Sequence, residues 1–274
     1  MAKKALLVGI NQYESVSNLR GCVNDVTNIS ALLMKYRGFT DEEIRVLTDV
    51  NATKHAIEKR LEWLAADAAP GDYLLFHFSG HGSAVLDRDA DENDGLDEIL
   101  CPYDMDWDGT YITDDQLKEQ LQVPDGVQIE AILDCCHSGS EGEALIVDPA
   151  VQAAPNQRPR YLAPPPDRAS GRTRQGAKVR SRILRSRSVG STPVIWAGCG
   201  ATQTSADALI DGVPWGAFSQ ALCGLMRRHS GAVSRRRMLE LTRTALIEGG
   251  YSQRPELEAS DAIADSLVFS RVGT

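Results

Sequence analysis

The sequence predicts an α/β fold, a three-layer sandwich with a mostly parallel central sheet flanked by helices. Three observations carry the layered α/β class. Near-continuous apolar runs such as Asp72–Ser79 (DYLLFHFS) and Val127–Asp134 (VQIEAILD) have the length of strands buried on both faces. Segments of helical apolar spacing alternate with them, which favours a parallel sheet. The chain has 274 residues, with 42% hydrophobic and 24% charged side chains, enough for a sizeable core and unlike a disordered polymer.

Lys3–Ile10 reads as the first core strand. Asn24–Tyr36 places Val26, Ile29, Leu32 and Leu33 on one helical face, and Arg45–Thr48 is a short strand. Thr53 can cap a helix that runs to about Ala69 and stops at Pro70–Gly71. Asp72–Ser79 is a strand broken by Gly80–His81–Gly82. Asp87–Asp108 is acidic and turn-rich, and Thr113 caps a helix through Leu121. Val127–Asp134 is a strand broken at Cys135–Gly139, and Pro193–Ala197 (PVIWA) is another. Trp215–His229 and Ser234–Glu248 read as helices, and Ser266–Ser270 as a last short strand.

The net charge of −9 hides a split. Residues 151–190 hold ten Lys/Arg and one Asp, whereas the rest of the chain holds 19 basic and 37 acidic residues. Five prolines fall between Pro155 and Pro166, with no apolar periodicity. The expected organisation is therefore a large part (1–148), a flexible basic linker (149–192) and a small part (193–274) that shares the core of the first. The acidic body and the 6% aromatic content argue against nucleic acid as a partner. No apolar run approaches the roughly 20 residues of a membrane span, and the N-terminal apolar stretch, ending at Asn11, is too short for a signal peptide. The six cysteines form no CxxC pair, so a reducing cytoplasm is expected.

In an open parallel sheet, ligands bind beyond the carboxyl ends of the strands. Two such ends carry reactive groups: Ser79-Gly80-His81-Gly82 and Asp134-Cys135-Cys136-His137-Ser138-Gly139. A thiol needs a base to become a nucleophile, and a histidine can serve first as base and then as acid for the leaving amine. Alternation along the chain puts Cys136 on the side of Asp134 and Cys135 on the side of Leu133, so Cys136 should face the cleft. Backbone N–H groups at Gly82, Cys136 and Gly139 are candidates for an oxyanion hole.

SGHG after one apolar strand and DCCHSG after a second resemble the caspase-like cysteine peptidases of the metacaspase type, in particular the single-chain type I metacaspases of prokaryotes, or orthocaspases. The QAC[RQG]G pattern of caspases is absent, while the 55 positions between His81 and Cys136 fit the interval of about 50 seen there. The resemblance implies a caspase-hemoglobinase-like form of that sandwich, with His81 as general base and Cys136 as nucleophile. It implies cleavage after Arg or Lys through an acidic S1 pocket, for which Asp25, Ser79, Asp134 and Asp207 are the candidates. Taken alone, Asp25 reads equally as a helix N-terminal residue and Asp207 as a turn residue.

Asp87–Asp115 holds twelve acidic residues against one Arg. An EF-hand is rejected because Glu92 stands where glycine is needed. Hard oxygen donors favour Ca²⁺, and the resemblance implies Asp97, Asp114, Asp115 and Glu143 as its ligands, Glu143 standing where relatives often carry Asp. Zinc on His77, His81, Cys135, Cys136 and His137 lacks ligand spacing, and no organic cofactor is expected. In the linker, Arg180, Arg182, Arg185 and Arg187 are candidate autocleavage sites. The expected partners are proteins or peptides with exposed Arg or Lys, and the resemblance suggests a monomer. The alternatives are a catalytically silent calcium- or partner-binding module and an aspartate-directed caspase.

Overall fold

A computed structural model of the chain describes residues 1–86, 96–136, 156–165, 191–200 and 203–271. Its centre is a six-stranded sheet built from β1 (Lys3–Gly9), β2 (Ile44–Thr48), β3 (Tyr73–Ser79), β7 (Gln128–Asp134), β9 (Val194–Ala197) and β12 (Glu256–Glu258), in the order β12-β9-β7-β3-β1-β2. All neighbours are parallel except β12, which closes one edge antiparallel to β9. The expected mostly parallel α/β sandwich is what is found. The register sets Gly9 beside Ser79 and Ser79 beside Asp134, so the carboxyl ends of β1, β3 and β7 are flush.

Two small antiparallel sheets stand at that end. One comprises β4 (Gly82–Leu86), β5 (Leu96–Leu100) and β6 (Ile112–Thr113). The other comprises β8 (Gln157–Pro159), β10 (Ala206–Ile210) and β11 (Val213–Gly216).

Period-2 alternation divides the core between the sheet faces. Leu74, Phe76 and Phe78 point to one side, where Ile57, Leu61 and Leu64 of α2 (Lys54–Ala65) and Leu117 of α3 (Asp114–Gln120) pack. Tyr73 and Leu75 point to the other, against Val26, Ile29 and Leu33 of α1 (Cys22–Arg37) and Phe218, Leu222 and Met226 of α4 (Ala217–Arg228). The helices start where the chain supplies caps. Thr53 accepts from the Ala56 N–H, Thr113 forms a capping box with Gln116, and Ser234 opens α5 (Arg235–Glu248) by accepting from Arg237 N–H. Among the described residues, no helix is long and apolar enough to cross a membrane.

Several stretches differ from the sequence expectation: Leu96–Leu100, within the acidic turn-rich stretch, is strand β5, and Trp215 lies in β11 so that the helix begins at Ala217. Ser266–Ser270 is not a strand; the Leu267 and Ser270 carbonyls accept from the Arg235 guanidinium, leaving one bridge to Ser234. The true last strand, Glu256–Glu258, is short and charged because it is an edge strand, and α6 (Asp261–Ala264) follows it. Within 149–192, expected to be linker, Gln157–Pro159 adds β8 to β10 and Arg160 is fully buried. An ion pair and a strand ladder fix this segment without any apolar periodicity.

The far face holds a second buried ion pair. Glu130 of β7 accepts from Arg235, Tyr73 Oη and Trp196 Nε1, and so ties α5 and β9 to the middle of the sheet. Glu130→Ala would leave a buried guanidinium without its partner. The expected cost is about 3–5 kcal/mol in urea denaturation; a loss below about 1 kcal/mol would mean the pair carries no such role.

Candidate active site

The flush ends of β3 and β7 present the two motifs side by side. Past Ser79 the chain turns through Gly80 into His81 and β4; past Asp134 it runs into Cys135 and Cys136. Cys135 joins the apolar core on the α2 side, whereas Cys136 lies against the segment that follows β8. Gly82 is needed for this approach, since a Cβ there would collide with the Cys136 carbonyl.

Both ends close on one carbonyl. The Arg160 C=O accepts from the Gly82 N–H at 3.0 Å and from the Cys136 N–H at 3.4 Å. The Arg160 N–H donates to the Ser205 carbonyl at 2.9 Å, continuing the antiparallel ladder in which Arg158 faces Asp207. Two converging backbone donors on a peptide oxygen are the arrangement that stabilises a tetrahedral oxyanion.

The Arg160 side chain turns inward to a pocket with no exposed surface. Its Nη2 is 2.8 Å from Asp25 Oδ2 and 3.6 Å from Asp207 Oδ1, and its Nη1 is 3.1 Å from Asp134 Oδ2. Nη1 also donates to Ser79 Oγ at 2.7 Å and to the Asp134 carbonyl at 3.1 Å. Each carboxylate is held by other donors. Asp25 accepts from Ser79 Oγ and the Gly216 N–H, Asp134 from Ser205 Oγ and from the Ser219 N–H and Oγ, and Asp207 from the Gly21 and Arg20 N–H groups. Gly216 forms the floor, where a Cβ would strike both the Asp134 carboxylate and the guanidinium. Burial and the neighbouring Asp134 push the Asp25 carboxyl up to about 7, against the opposing pull of Arg160.

His81 is oriented from the other side. Its Nε2 lies 2.8 Å from the Ser17 carbonyl, an acceptor only, so this nitrogen carries the proton and Nδ1 is the basic one. Nδ1 is buried and makes no hydrogen bond. The His81 N–H donates to Tyr13 Oη at 2.7 Å, and the two rings lie 5.0 Å apart. The Cys136 thiol is turned to Ser205, accepting from its N–H and donating to its carbonyl at 3.6 Å. The imidazole is thus held on Ser17 and the thiol on Ser205, with no hydrogen bond between the two side chains.

The metacaspase peptidase C14 domain family matches residues 3–144. A metacaspase-1 of Candida glabrata is 33% identical over 97% of this chain and 75% of its own length. A metacaspase-1A of Aspergillus oryzae is 32% identical over 99% of this chain and 71% of its own. The chain belongs to the metacaspase family. It is a caspase-like cysteine peptidase. In fold, this metacaspase is similar to a Geobacter sulfurreducens protein of solved structure (TM-score 0.72, 22% identity, 98% of this chain and 99% of that one). It is also similar to caspase-1 of Spodoptera frugiperda (TM-score 0.57, 16% identity, 98% of this chain and 92% of that one).

The structure gathers His81, Cys136, Gly82, Asp25, Ser79, Asp134 and Asp207 around one residue. Arg160, which the sequence reading passed over, is that residue. Its only local signal is the Arg158-Pro159-Arg160 run, which reads as solvated linker because its partners Asp25 and Asp207 lie far away in the chain. Ser17, Ser205 and Ser219 were likewise missed; they act through backbone groups and short hydroxyls that no motif marks.

The expected calcium ligands are gathered less completely. Asp114 and Asp115 begin α3, where Lys118 pairs with both, while Asp97 lies on β5 opposite Val85 of β4, two residues before Ile99, which pairs with Thr113. Among the described residues, no group of three or more metal-ligating side chains is found. Glu143, Gly139 and His137 lie outside the described residues, as do Arg180, Arg182, Arg185 and Arg187.

Burial lowers His81 to about 4, outweighing its bond to the Ser17 carbonyl, with the Arg160 charge adding to the effect. The ring is therefore neutral at pH 7. An unfolded histidine titrates near 6.5. The unfolded chain thus takes up this proton first, and stability falls as pH drops from about 6.5 to about 4. An NMR titration of the His81 ring, assigned against His81→Gln, should show a midpoint near 4; an ordinary midpoint would show a hydrated ring.

Proposed function

We propose that this metacaspase is an endopeptidase that cleaves after arginine or lysine, with Cys136 as nucleophile and His81 as general base and then acid. The observation that carries the reading is Arg160, held with its guanidinium among three carboxylates and its carbonyl between the Gly82 and Cys136 N–H groups. A substrate arginine in that place would have its carbonyl polarised and its side chain paired. An aspartate would instead add a fourth negative charge to a buried pocket, which disfavours aspartate-directed cleavage. Lysine fits the charge but makes fewer of the fork-shaped contacts, so arginine should be preferred.

In the reaction, His81 Nδ1 takes the Cys136 proton while the Ser17 carbonyl holds Nε2–H and fixes the ring. The thiolate attacks the carbonyl carbon, and the oxygen takes up the charge between the two N–H donors. Collapse breaks the C–N bond, and Nδ1–H protonates the leaving amine. Water, deprotonated by the same nitrogen, then hydrolyses the thioester. The thiol must first turn from Ser205 towards His81, a side-chain rotation.

On this reading the chain rests with its own segment in the cleft, which adds the Arg160–Tyr161 bond to Arg180, Arg182, Arg185 and Arg187 as a proposed autoprocessing site. Substrates are proteins or peptides whose exposed Arg or Lys can displace that segment. Calcium is the proposed activator, held by Asp97, Asp114, Asp115 and Glu143. What supports it is the charge balance at α3: Asp114 Oδ1 is buried without a hydrogen-bond partner, and burial plus Asp115 push this carboxyl up to about 6 despite Lys118. A hard cation would relieve that strain.

The direct test is hydrolysis of Arg, Lys and Asp fluorogenic amides with Ca²⁺ titrated in. Arg should lead, Asp should be inert, and the apparent Ca²⁺ affinity should weaken below pH 6 as Asp114 protonates. Cys136→Ala should abolish turnover; equal hydrolysis by that variant would remove the assignment. Mass spectrometry of the Ca²⁺-treated protein should give fragments 1–160 and 161–274 from the wild type and neither from Arg160→Gln. A wild-type chain cut only elsewhere would contradict the reading of Arg160.

A further inference from the structure

We infer that this metacaspase also reads its substrate on the leaving-group side, through a seat for an aliphatic side chain two residues after the scissile arginine. The inference rests on the reading of Arg160 as a substrate-like occupant. On the unprimed side the segment is held by backbone and displays its side chains. β8 pairs with β10, while Arg158 and Pro159 are exposed. Proline at the position before the arginine costs nothing, because that N–H lies outside the ladder bonds made by Arg158 and Arg160.

Past Arg160 the holding changes character. Tyr161 bridges Gly82 in parallel register, and the Leu162 N–H donates to the Gly82 carbonyl at 2.9 Å. Gly82 thus grips both sides of the bond to be broken, donating to Arg160 and accepting from Leu162. The fully buried Ser83 then donates its hydroxyl to the Leu162 carbonyl at 2.6 Å. The Leu162 side chain, half-buried, packs against the apolar core on the α2–α3 side of the sheet, the cluster to which Ile99 and Leu100 also belong. Arg160 is fully buried and Leu162, two residues on and so on the same side of an extended chain, packs on the apolar core, with half-buried Tyr161 between them. The segment has two side-chain anchors, and the second belongs to the leaving peptide.

Two consequences follow. A substrate with an aliphatic residue at that second position regains the apolar contact, whereas a carboxylate there would be set against apolar core and close to the acidic β5–α3 region. A dye amide, which ends at the arginine, leaves the Gly82 carbonyl and Ser83 hydroxyl without their partners.

The test uses the wild-type protein with Ca²⁺ and three substrates: an arginine dye amide and two internally quenched peptides, Arg-Tyr-Leu and Arg-Tyr-Asp at the cleavage site. The expected kcat/KM is about tenfold higher for the Leu peptide than for the Asp peptide, the size of a modest apolar contact. Ser83 serves the backbone, so Ser83→Ala should lower both peptides several-fold relative to the dye amide measured on the same preparation. Equal rates on the two peptides, or an unchanged peptide-to-amide ratio in Ser83→Ala, would overturn the leaving-side seat while hydrolysis of the dye amide left the arginine pocket standing. Hydrolysis of none of the three would overturn both.

Discussion

Three buried carboxylates and one guanidinium hold this molecule's functional end together. Asp25 comes from α1, Asp134 from the end of β7 and Asp207 from β10, so the pocket draws on both halves of the chain. None has exposed surface. Like charges gathered out of water are costly unless a cation and many hydrogen bonds meet them. The fold meets this demand with backbone N–H groups, serine hydroxyls and Arg160. Gly82 and Gly216 are glycines because backbone and carboxylate must approach so closely.

The same constraint couples stability to function. Three carboxylates out of water are unstable without a cation, and Asp25, pushed up by burial against the pull of Arg160, would rise further without that guanidinium. The resting chain satisfies its pocket with its own arginine, and under the proposed reading a substrate arginine must displace it. His81 takes no part in that displacement: its ring is held by the Ser17 carbonyl and lies against Tyr13, whose hydroxyl accepts from the His81 backbone N–H, and both residues belong to the large part. The general base can stay in place while the occupant changes and the Cys136 thiol turns from Ser205.

Much of this was legible in the residues. The apolar run of β3 ending in SGHG, and that of β7 ending in DCCHSG, place imidazole and thiol at neighbouring strand ends once the sheet is parallel. Alternation separates Cys136 from Cys135. The acidic pocket candidates were also readable, since Asp134 directly precedes the cysteines. Arg160 was not legible, because its environment is assembled from residues distant in sequence and its own neighbourhood is rich in proline and arginine. β12 escaped for a different reason: an edge strand of three residues needs only one apolar side chain, Leu257, and carries no pattern to detect.

The central claim is that Arg160 competes for a pocket built for a substrate arginine. Calorimetry can measure this without cleavage, by titrating an arginine-containing peptide amide into Cys136→Ala and into Cys136→Ala/Arg160→Ala. Removing a tethered competitor should tighten binding by about tenfold or more. Equal affinity in the two proteins would contradict the account.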